Sequence, residues 1–117
     1  MADCIFCKIA NHDIPSTVVY EDERVIAFRD LEPQAPTHVL VIPKHHYATI
    51  ADDVPAETLG AMAKAIKEVV KSEGIEESGF RVITNAGPDA GQTVHHFHMH
   101  VLGGKNLGMG LLPSDAE

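Results

Sequence analysis

Residues 94–102 read Val-His-His-Phe-His-Met-His-Val-Leu, and from His96 to Val101 imidazoles and apolar side chains alternate without a break. Alternation with a period of two belongs to a strand, whose successive side chains point to opposite faces. The pattern predicts a strand over 94–102, with His96, His98 and His100 on one face and Phe97, Met99 and Val101 on the other. A half-buried strand ordinarily shows Thr, Ser or Lys to water. Imidazole can donate, accept or attack near neutral pH, so three in register point to chemistry. A single metal ion does not explain them: at about 3.3 Å per residue His96 and His100 stand roughly 13 Å apart, against at most about 4 Å between two nitrogens on one zinc. The three histidines must divide their labour.

The rest of the chain reads as an α+β protein. The segment 4–10 looks like a short helix, stopped before Ile14-Pro15, and 17–20 and 25–29 read as strands of a hairpin around the turn 21–23. The prolines of 31–36 mark a loop, and His38-Val39-Leu40-Val41-Ile42 is an unbroken apolar strand expected to be covered on both faces. One long helix is predicted over 55–73, with Leu59, Met62, Ala63, Ile66, Val69 and Val70 at helical spacing and Gly74 ending it. Strands at 80–84 and 94–102 complete a set of five, and the tail over about 106–117 reads as irregular. The 117 residues make one domain, 1–117, whose core is adequate but not generous, so a homodimer that buries further surface is expected. A formal net charge of −8 argues against a nucleic-acid partner, which needs a basic stripe. Met1-Ala2-Asp3 opens no basic leader and no apolar run approaches the ~18 residues of a membrane span, so no membrane partner and a cytoplasmic location are expected.

Several residues could complete a site. The loop Gly87-Pro88-Asp89-Ala90-Gly91-Gln92-Thr93 runs into the histidine strand, and glycines let backbone N–H groups converge on an anion. Asn85 and Thr93 offer polar groups beside it, though capping the loop backbone is the usual work of such residues. Cys4 and Cys7 are the only cysteines. A disulfide suits a reducing compartment poorly, and a thioredoxin-like pair would follow a strand. Zinc suits better, with two further ligands to be drawn from His45, His46, His95 and His96.

His96-Phe97-His98-Met99-His100-Val101-Leu102 resembles the His-x-His-x-His-x-x signature of the histidine triad family, with x apolar. The similarity extends to Ile14-Pro15, Phe28-Arg29-Asp30, the run PQAPTHVLVIPK over 33–44, Gly91-Gln92-Thr93 and Gly103-Gly104, and it is closest to the nucleotide-binding branch. That resemblance implies a homodimer, each protomer holding a five-stranded antiparallel sheet, and hydrolysis of purine nucleoside phosphoramidates, typically adenosine 5′-monophosphoramidate. It makes His98 the nucleophile that attacks phosphorus, forming a nucleotidyl-histidine that water then hydrolyses. Such a nucleophile needs its far nitrogen held by a backbone carbonyl.

The same resemblance implies that His100 binds phosphate oxygen and that His38 supports the nucleophile from a neighbouring strand, a position where a satisfied core histidine is the alternative. It sets Gly91, Gln92 and Thr93 around the phosphate and the scissile bond, and Asn85 on the phosphate or ribose side. Asp30 and Leu31 would meet the ribose, and Ile5, Phe6, Ile9, Ile14 and Phe28 the base; read as residues alone, those apolar side chains are core. Relatives that pair C-x-x-C with two histidines imply structural zinc on Cys4, Cys7, His46 and His96, with no cofactor required for the chemistry. Two departures stand out: Thr93 replaces a serine, and the tail lacks a Trp-Pro ending. The alternatives are cleavage or transfer on dinucleoside polyphosphates or nucleotidylated metabolites, a non-catalytic nucleotide-binding adaptor, and a zinc-binding structural protein; Leu102-Gly103-Gly104-Lys105 favours the phosphoramidase branch.

Overall fold

The computed structural model describes residues 4–110. Along them run α1 (Ile5–Ala10), β1 (Val18–Glu21), β2 (Val25–Arg29), β3 (Thr37–Pro43), α2 (Ala56–Ser72), β4 (Phe80–Ile83), a 3-10 turn (Pro88–Ala90) and β5 (Met99–Gly103). The strands form one sheet in the order β1-β2-β3-β5-β4, antiparallel throughout. The expected α+β class, with one long helix and a short N-terminal one, is what the chain adopts.

Local chemistry sets the elements. Asp22 shapes the first hairpin, its Oδ1 accepting from the N–H groups of Arg24 at 2.8 Å and Val25 at 2.9 Å. All seven residues of β3 are buried, as its unbroken apolar run requires. Pro55 caps α2, Glu57 lies in its first turn and Lys71 in its last, and Gly74 ends it with φ 72°. Ala63, counted above on the apolar face, is exposed, and Ala65 is buried in its place. The stripe that meets the sheet follows 62, 65, 66 and 69, and residue 63 falls to one side of it.

Two apolar layers flank the sheet. On one face α2 packs Met62, Ala65, Val69 and Val70 onto Val25, Ala27, Val39, Val41, Phe97 and Val101. On the other, α1 sets Phe6, Ile9 and Ala10 against Ile26, Phe28, Leu40 and Ile42. Gly103 allows the segment after α2 to close down: a Cβ there would stand 2.7 Å from Ile75 Cδ1.

The histidine strand is shorter than predicted. Only Met99–Gly103 is paired, and 94–98 runs outside the sheet as bends and extended chain. The β3 ladder ends at Val41↔Met99 and the β4 ladder at Ile83↔His100. Pro43 has no N–H to carry the first further, and its carbonyl takes the His96 ring instead, at 2.8 Å. The alternation survives the loss of pairing, with Phe97 in the α2 layer and His96 and His98 both against Phe6 of α1. Residues 106–110 are irregular, and the rest of the expected tail, 111–117, lies outside the described residues. Among the described residues no helix is long and apolar enough to cross a membrane.

Candidate active site and metal centre

The hydrogen bonds around the histidines fix which ring nitrogen of each carries the proton. His98 Nδ1 lies 2.7 Å from the carbonyl of His96, and a carbonyl only accepts, so Nδ1 is the N–H and Nε2 keeps its lone pair. His38 Nδ1 accepts from the backbone N–H of Gln34 at 3.0 Å, so its proton sits on Nε2. That Nε2–H donates to His100 Nδ1 at 2.9 Å, leaving His100 with its own proton on Nε2. The His98 and His100 ring centroids are 5.1 Å apart. The pair thus offers a free imidazole lone pair on His98 and an N–H donor on His100.

Burial keeps His100 and His38 neutral. It is the main cause pushing His100 down to about 4, with the neighbouring His98 and His38 adding to it and Asp30 opposing. His38 is held low by the same loss of water, again against Asp30, whose Oδ2 stands 3.4 Å from His38 Nε2. Asp30, His38 and His100 lie close enough to surround an ion. The Gln34 amide decides against one, because His38 Nε2 must then carry a proton where a metal needs a lone pair.

A second cluster meets the opposite test. The donor atoms of Cys4, Cys7, His46 and His96 all lie within 4.8 Å of one another. His96 donates through Nε2 to the Pro43 carbonyl, which turns the Nδ1 lone pair toward Cys4 Sγ at 3.3 Å and Cys7 Sγ at 3.5 Å. His46 Nδ1 is 3.3 Å from Cys7 Sγ. Sulfur and nitrogen on one tetrahedral zinc stand about 3.5 Å apart, so both the donor set and its spacing fit that metal. Burial and the adjoining Cys4 push the Cys7 thiol up to about 11, a direction that a dication reverses by taking thiolates. Of the four histidines considered for this role, His45 and His95 are exposed and outside the cluster.

The remaining expected site residues divide. Gly87 and Gly91, with φ of 85° and 79°, make the turns of the loop before the histidines. Gln92, expected against phosphate, turns its side chain to the backbone: Oε1 accepts from Gly87 N–H at 2.9 Å, and Nε2 donates to the carbonyls of Ala48 at 2.8 Å and Val94 at 3.0 Å. Both of its amide protons are spent there, so this side chain shapes the loop. Thr93 is exposed and Asn85 half-buried. Leu31 is 95% exposed beside half-buried Asp30. Phe6, Ile9, Ile14 and Phe28 come together in the α1 layer, while Ile5 points outward at 48% exposure. Sequence reasoning missed the groups that orient the rings, the Pro43 carbonyl and the Gln34 amide, because backbone atoms carry no residue signal.

The HIT domain family signature matches residues 11–107. The chain belongs to the HIT domain family. This HIT protein is 48% identical over 109 residues to the purine nucleoside phosphoramidase of Escherichia coli, covering 91% of each chain. It is 50% identical over 107 residues to a 14 kDa zinc-binding protein of Zea mays, covering 88% of this chain and 83% of that one. Its fold superposes on a HIT family hydrolase from Clostridium thermocellum with a TM-score of 0.91 at 48% identity, covering 96% and 99% of the two chains. It is a HIT family hydrolase.

Proposed function

We propose that this HIT hydrolase cleaves the P–N bond of purine nucleoside 5′-phosphoramidates, adenosine 5′-monophosphoramidate being the type substrate, through a nucleotidyl-histidine on His98. One observation carries the reading: the 2.7 Å bond from His98 Nδ1 to the His96 carbonyl, which leaves the Nε2 lone pair free to attack. The 48% identity to the phosphoramidase of Escherichia coli supports the substrate class. In the first step Nε2 bonds to phosphorus and the P–N bond breaks, the amine leaving with a proton. In the second, water attacks the same phosphorus, the P–Nε2 bond opens, and nucleoside monophosphate departs. His100 offers its Nε2–H to a phosphate oxygen, and His38 holds it in that tautomer.

The exposed Thr93 hydroxyl is assigned to the leaving-group side, relaying the amine's proton from water. Gly91 and Asn85 border the phosphate, Asp30 and Leu31 the ribose, and Phe6, Ile9, Ile14, Phe28 and the outer Ile5 the base. Zinc on Cys4, Cys7, His46 and His96 would be structural, cross-linking α1 to the histidine segment, and no step passes through it. A cytoplasmic setting, which keeps thiols reduced, would leave both cysteines available to zinc. A homodimer would cover the open edge of β4, where Phe80 and Val82 are 42% and 41% exposed.

The test is an adenosine phosphoramidate carrying a fluorescent amine, followed by amine release and by intact mass at early times. Turnover with an AMP-sized adduct, both lost in His98→Ala, is expected. Nucleotide binding without turnover, or faster cleavage of a dinucleoside polyphosphate in the same assay, would overturn the proposal.

A further inference from the structure

His98 stands one residue outside β5, so the sheet does not hold its backbone. A nucleophile on unpaired chain loses reach with small rotations of the peptides on either side, and catalysis is sensitive to displacements of about 1 Å. Two bonds from outside the strand fix those peptides. The unit joining His96 to Phe97 supplies the carbonyl that orients the His98 ring, and its N–H donates to the Tyr47 carbonyl at 2.6 Å. The unit joining His98 to Met99 is held by a side chain: Thr84 Oγ1 donates to the His98 carbonyl at 2.7 Å.

Thr84 is the first residue after β4, just past the last rung at Ile83↔His100. From there a backbone donor has ended its register, and the hydroxyl supplies the missing rung. We propose that Thr84 is a positioning residue for the nucleophile, its hydroxyl fixing the peptide plane that sets the backbone of His98 while the His96 carbonyl sets the ring. Threonine suits the task because β-branching restricts χ1 and keeps the hydroxyl aimed. The inference rests on His98 being the nucleophile proposed above.

The experiment compares Thr84→Val, which keeps the shape and removes the hydroxyl, with Thr84→Ser, which keeps the hydroxyl. Full-length variants are assayed on the fluorescent adenosine phosphoramidate for kcat and KM and for the single-turnover rate of the AMP adduct, with thermal midpoints alongside. Thr84→Val is expected to lower kcat and the adduct rate about three- to tenfold, the worth of one such hydrogen bond, at unchanged KM. Thr84→Ser is expected to restore most of both rates. A valine variant that is less stable but turns over at the wild-type rate would assign the hydroxyl to folding alone and overturn the inference, as would a serine variant as slow as the valine one. Should the valine variant not fold, Thr84→Ala takes its place on the same criteria. Full turnover by His98→Ala would instead remove the nucleophile reading, which separates the two failures.

Discussion

One chain of hydrogen bonds, Gln34 amide to His38 to His100, governs the residue scale. Because the His38 donor fixes the His100 tautomer, His38→Gln should lower kcat by about tenfold, roughly the cost of one lost hydrogen bond in a buried network, with little change in KM. Equal losses in kcat/KM and binding would place His38 in substrate contact instead. The pH dependence of stability follows from burial. The unfolded chain takes up protons on these histidines below about 6.5, whereas His100 resists down to about 4 and His38 is shifted the same way. Their contribution is therefore fully present above about 6.5 and is lost as pH falls toward about 4. Urea midpoints measured across that window should decline, and His100→Gln should flatten the slope. The spacing of the motif singles out His98 and His100, and the role expected of His38 comes from the family resemblance alone, but neither names the backbone groups that set the tautomers. They depend on a carbonyl of Pro43, a carbonyl of His96 and an amide of Gln34, each placed by the chain path.

Among the elements, α1 shows what a local pattern can and cannot do. Six residues are too few for an isolated helix in water, so its existence depends on what it docks against. Cys4 caps it, its Sγ accepting from the Cys7 N–H, and the same sulfur meets His96 while Cys7 Sγ meets His46. A chelator, or Cys4→Ser, should raise amide exchange in α1 by about tenfold or more while α2 stays protected, a contrast read by hydrogen exchange. Equal protection with and without metal would remove zinc from the account. At the far end of β5, Gly103→Ala forces a methyl to within 2.7 Å of Ile75 Cδ1, and a loss of about 1–3 kcal/mol in denaturant unfolding is expected. The long helix and the hairpin are legible in the sequence, apart from Ala63 and the placing of Glu21 in the turn rather than in β1, because each owes its form largely to its own residues. The histidine strand was over-extended because strand length is set by its neighbours, and Pro43 ends the pairing.

At the scale of the whole molecule, the sheet is covered unevenly. The helix α2 packs over β1, β2 and β3, while β4 keeps an open edge with Phe80 and Val82 showing. If the proposed homodimer closes that edge, Val82→Lys should halve the sedimenting mass at low micromolar concentration, while retention of a dimer would move the interface elsewhere. The amino-acid sequence determined by itself the family, the α+β class, the candidate histidines and the candidate metal set, since each is written in residue type, spacing and family resemblance. Only the tertiary structure brought the donor atoms of Cys4, Cys7, His46 and His96 together, turned Gln92 to the loop, left His98 beyond the sheet and let Thr84 reach its carbonyl. Hydrogen bonding is the physical reason. A pattern of side chains records which groups are available, but a donor and an acceptor distant in sequence meet only when the backbone has closed around them.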